Sequence, residues 1–97
     1  MVLRYRFDRE VARDERGSWI ARSRRMGLVA HGETRAAALE RLDSLADFFV
    51  HTYWNRHGSA SLRSWFDLHK VSHFFADASS DHEGDQQEQT ERGLVLA

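Results

Sequence analysis

The sequence predicts an α+β fold: a three- to four-stranded, mainly antiparallel sheet in the order β-β-β-α-β, covered on one face by one long helix, with a short second helix before the last strand. Three observations predict it. Residues 2–7 alternate Leu3, Tyr5 and Phe7 with Arg4 and Arg6, the period of two expected when one sheet face is buried and the other wet. A polar turn, Arg13-Asp14-Glu15-Arg16-Gly17-Ser18, leads into the β-formers Trp19 and Ile20. From about Thr34 to His57 the apolar residues recur at helical spacing.

Each element has a local reason. The first strand, 2–7, is expected to form a hairpin with a second, 18–23, and Leu28-Val29-Ala30 makes a third short strand that ends at Gly32. Thr34 offers its hydroxyl to the unsatisfied amides of a helix start, and Gly58 supplies a stop. On a helical projection Ala38, Leu39, Leu42, Leu45, Ala46, Phe49, Val50 and Tyr53 share one arc, the face laid on the sheet. Phe48 projects outside that arc and Trp54 sits at its edge. Residues 61–75 read as a short helix that gives way to a strand over Val71 to Phe75.

A chain of 97 residues is the size of one domain, here expected over residues 1–75, with 76–97 as an acidic polar tail ending in a pairing segment at Leu94-Val95-Leu96. Charge divides at the same point. The body carries a formal +4 and the tail −5, which together make the net −1. No apolar run is long enough to span a bilayer, and the charged alternation of the first residues is unlike a secretory signal. With no cysteine there is no disulfide framework and no thiolate metal site, so the cytoplasm is the expected compartment.

Candidate sites are few. His69 and His73 have the i, i+4 spacing that puts two imidazoles on one helical face, but no third ligand is evident, and neither metal nor cofactor is expected. Near one strand terminus stand only two carboxylates, Asp8 and Glu10, too few to converge on divalent cations, and there is no nucleophile elbow or reactive thiol. The chain is therefore expected not to be an enzyme. The stronger signal is basic: Arg22, Arg24 and Arg25, joined by Arg4 and Arg6 of a neighbouring strand, could form a positive patch beside Trp19 that attracts phosphate or an acidic protein. A solvated sheet face whose arginines are matched by Asp8, Glu10 and Asp14 explains the same residues.

Over about residues 3–58 the chain resembles the HicB-like antitoxins, whose first domain is a partial ribonuclease H-like fold. The residues that carry the likeness are Tyr5 in the first strand, Gly17-Ser18-Trp19-Ile20-Ala21 in the second and Gly27 before the third. Gly32-Glu33-Thr34 and Ala37-Ala38-Leu39 then open the helix. The chain departs from the family between its second and third strands, where prolines are usual and Arg24-Arg25-Met26-Gly27 stands here. The compact stretch after Gly58 is also too short for the appended DNA-binding unit of operon-regulating members.

The resemblance implies an antitoxin that binds a small HicA-like, mRNA-cleaving toxin and occludes its catalytic surface. Trp19, Arg22, Arg24 and Arg25 are the expected partner-binding residues. A body of this size leaves apolar surface uncovered, so a homodimer is expected through Phe48, Trp54, Trp65, Phe66 and Phe74. The alternatives are a non-catalytic nucleic-acid-binding module that uses the arginine-rich face, and an orphan structural or interaction domain.

Overall fold

The computed structural model describes residues 2–76 and 89–96 and shows the α+β class that the sequence predicts. Its elements are β1 (Val2–Asp8), β2 (Glu10–Arg13), β3 (Trp19–Ser23), β4 (Leu28–Gly32), α1 (Arg35–Leu68), β5 (Ser72–Ala76) and β6 (Gln89–Val95). The strands form two three-stranded sheets, ordered β5-β1-β6 and β2-β3-β4, and every pairing is antiparallel.

The expected first hairpin is corrected by this topology. It is β2 that pairs with β3, while β1 lies between β5 and β6, with Leu3 opposite both Phe75 and Leu94. The chain runs straight from one sheet into the other because the inward-facing alternation continues: Leu3, Tyr5 and Phe7 are buried, and the next inward position is Arg9, whose guanidinium reaches Asp43 of α1. The expected domain limit at residue 75 is corrected too. The anticipated pairing at Leu94 to Leu96 extends back to Gln89, because Leu94 and Leu96 alternate into the core and Arg92 has carboxylate partners on α1. Residues 77–88 of the expected tail lie outside the described residues.

Thr34 caps α1 as its position predicts, its Oγ1 accepting from the Ala37 amide at 3.0 Å. Gly58, with φ +83°, breaks the helical conformation as expected, yet the chain resumes helix at once, so the anticipated second helix is the far arm of one kinked α1. Ala38, Leu42, Ala46 and Val50 face the sheets fully buried, joined beyond the kink by Leu62 and Phe66. Leu45, placed in the buried arc by periodicity, is 39% exposed.

At its end α1 closes with paired capping bonds: Lys70 N donates to Asp67 O at 3.2 Å, and Val71 N to Phe66 O at 2.8 Å, with Val71 packed into the same core as Phe66. Lys70 occupies the left-handed position, φ +59°, that this motif normally gives to glycine. Lys70→Gly is expected to stabilise the fold by about 1 kcal/mol, measured by urea denaturation.

Candidate protein-binding face

The turn between β3 and β4 is fixed from below by one carboxylate. Asp8, at the end of β1, accepts from Ser23 Oγ at 2.9 Å and from the backbone amides of Arg24 and Arg25 at 2.9 and 3.2 Å. Ser23 Oγ in turn accepts from the Met26 amide at 3.2 Å, which accounts for the one buried polar side chain among the described residues. Burial alone would raise the Asp8 carboxyl, but the hydrogen bonds from Ser23 and the two amides outweigh it and hold Asp8 below the usual carboxylate range.

From this frame the arginine side chains project outward. Arg24 Nε lies 2.8 Å from Glu10 Oε2 and Arg22 Nη2 3.8 Å from Glu10 Oε1, with 68% and 52% of their side chains exposed. Arg25 instead donates to the Lys70 carbonyl at 2.9 Å, tying the turn to the end of α1. Such exposed ion pairs contribute little to stability, so these arginines remain open to exchange partners.

The other expected members of the patch are placed elsewhere. Trp19 shares its face of β3 with Ala21 and Ser23, packs half-buried against the core, and carries the Arg13 guanidinium 5.6 Å above its ring. It therefore points to the opposite side from Arg22. Arg4 and Arg6 belong to β1, which does not pair with β3, and Arg6 stands 3.9 Å from Glu91 of β6.

A second polar cluster, not anticipated from the sequence, joins three elements. Tyr5 donates its hydroxyl to Asp47 Oδ1 at 2.8 Å, and Arg92 Nε donates to the same oxygen at 3.2 Å while its Nη2 grips Asp47 Oδ2. Asp43, one helical turn earlier, takes Arg9 Nη1 at 3.1 Å and lies 3.8 Å from Arg92 Nη1. Burial lifts Asp43 above the usual carboxylate range although Arg9 and Arg92 act against it. Burial, then the bond to Asp47, also raise the Tyr5 phenol, which stays protonated. With each carboxylate bound to arginine and the phenol donating, the cluster ties β1 and β6 to α1. The i, i+4 spacing of Asp43 and Asp47, with Arg9 at an inward strand position, was the signal available in the sequence.

The histidine pair is not on one helical face. His69 caps α1, stacked on Trp65 at 4.0 Å, and His73 lies in β5, stacked on Phe66 at 4.8 Å. Among the described residues no group of three or more histidines and carboxylates could hold a metal ion, and no helix is long and apolar enough to cross a membrane.

The expected oligomer interface is dispersed. Phe66 is fully buried between Tyr5, Trp65 and His73, and so cannot face a second chain, which corrects its assignment. Trp65 is half-buried against Phe49 and His69, and Trp54 lies tilted against the Phe75 ring within the chain. Phe48 and Phe74 are exposed, at 71% and 46%, on α1 and β5.

Compared with known proteins, the chain matches no family model and gives no significant match to a curated protein or a solved structure.

Proposed function

We propose that the chain is an antitoxin-like protein that binds a small HicA-type, mRNA-cleaving protein and occludes its catalytic surface. The observation that carries the reading is the turn at Arg24 and Arg25, whose backbone is pinned by Asp8 while the Arg22 and Arg24 guanidinium groups stand in solvent. A fixed frame with exposed forked donors binds carboxylates of a partner at low ordering cost. Glu10 already supplies a carboxylate to Arg22 and Arg24, which favours exchange of one protein carboxylate for another over capture of a polyphosphate chain.

The test is co-expression with a small HicA-type protein, followed by size-exclusion chromatography and an mRNA-cleavage assay. A stoichiometric complex and suppressed cleavage are expected. Arg22, Arg24 and Arg25 replaced together by serine should weaken that complex at least about tenfold with an unchanged circular dichroism spectrum, since the side chains are exposed. Unaltered binding by the triple variant, or cleavage that continues in the presence of the chain, overturns the proposal. A salt-sensitive shift with RNA or duplex DNA alone would assign the arginines to nucleic acid instead.

A further inference from the structure

The two arms of α1 lie folded back on one another across a single residue. The rings of Phe49 and Trp65 are 4.8 Å apart between centroids, and those of Tyr53 and Trp65 6.2 Å. In an unbroken helix residues 49 and 65 would be separated by about 24 Å along the axis. Gly58 makes the difference. At φ +83° and ψ 177° it is the one residue inside α1 outside helical geometry, and it holds a backbone region open essentially to glycine alone. Nothing lies within 4 Å of a Cβ at this position, so conformation, not lack of room, excludes a side chain.

The seat of the far arm is supplied largely by residues that precede Gly58. Phe66 stacks on Tyr5 at 5.7 Å, β5 pairs with β1 from Val2 to Arg6, and Arg92 of β6 binds Asp47 on the near arm. Were Gly58 to turn helical, the far arm would point away from this seat, and the identical seat of a second copy would accept it. We infer that Gly58 is an exchange hinge: in its present conformation it closes the chain on itself, and its conversion to helix lets two copies trade the far arm, β5 and β6. Phe66, which cannot face a second chain in the closed form, then fills the place beside Tyr5 of the other copy.

Exchange keeps these contacts in kind, so the balance rests on concentration and on the hinge. Closure within one chain holds the far arm beside its seat at an effective concentration that dilute solutions do not reach, which favours the single chain. A hinge of one residue has no slack to turn in any other way, and short hinges under strain are the ones that invite exchange. Glycine adopts the turn without steric cost and so keeps the closed form ahead. Any other residue at position 58 would oppose closure and favour helix, twice in each dimer.

Gly58→Ala tests this by size-exclusion chromatography with light scattering on the full chain, refolded from urea at about 1 mM and diluted to about 10 µM. A two-chain mass is expected, with a dissociation constant at least about a hundredfold below that of the wild type, because two hinges are relieved per dimer. Gly27→Ala, which puts alanine at a similar φ of +69° in a turn with no arm to trade, should keep a single-chain mass. Cross-linking reads the exchange itself. The chain has no cysteine, and Arg6 stands opposite Ser72 in the β1–β5 register. Arg6→Cys chains refolded together with Ser72→Cys chains should therefore give mixed disulfide-linked pairs above the half share expected by chance, in high yield with Gly58→Ala and in lower yield without it. Should Gly58→Ala fail to fold, the cross-link with Gly58 in place decides. A single-chain mass for folded Gly58→Ala, a two-chain mass for Gly27→Ala, or mixed pairs at only the chance share overturns the inference.

Discussion

Gly32→Ala is expected to lower stability by about 3 kcal/mol and the thermal midpoint by on the order of 15 °C. A Cβ at this position would stand 2.5 Å from the Ala38 amide nitrogen and 2.9 Å from both Ala37 C and Ala38 Cα. Those are backbone atoms of the first turn of α1, so no side chain can yield to make room. The helix start must retreat, which strains the Thr34 cap and pulls Arg41 from the His31 carbonyl. Gly27→Ala is the matched control: nothing lies within 4 Å of its Cβ, and only the φ of +69° opposes alanine. About 1 kcal/mol is expected there. Urea denaturation of both variants measures the difference, and equal losses would mean that close approach of backbone to backbone is not what Gly32 provides.

Phe66→Ala is expected to cost about 4 kcal/mol, a large fraction of the stability of so small a domain. Its ring is fully buried, 5.7 Å from Tyr5, 6.0 Å from Trp65 and 4.8 Å from His73, and so joins the far arm of α1 to β1 and β5 at once. The resulting cavity has rigid aromatic walls that collapse poorly. Calorimetry should show a midpoint lower by roughly 20 °C for a loss of this size. A variant that melted like the wild type but associated less would return Phe66 to an intermolecular role.

What the sequence disclosed was local. Alternation through Leu3, Tyr5 and Phe7 marked a strand with one buried face, Thr34 marked a helix start by its hydroxyl, and Gly58 marked a break by its freedom of φ. Each of these depends on neighbours a few residues away. Strand partners were not disclosed in this way, because the polar alternation of β1 suits any antiparallel neighbour, and the one nearest in sequence was not the one chosen. Arg92 was hidden for a related reason: in a polar segment poor in apolar residues it carried no sign of Asp43 and Asp47 waiting on α1. The candidate face was half legible. Arg22, Arg24 and Arg25 were recognisable as exposed, whereas the acceptor role of Asp8 toward backbone amides leaves no trace in composition.

The pairing of β1 with β5 and β6 sets the order in which the molecule can assemble. Val2 meets Val95 and Ala76, so the central strand of that sheet is synthesised before both of its neighbours and must wait for them. The α1 helix and the β2-β3-β4 meander close over short loops and can form early, whereas β1 must hold Leu3, Tyr5 and Phe7 against them until β5 and β6 arrive. Nascent chains are thus most vulnerable to adhesion through this one unfinished strand, in the interval before synthesis reaches β6.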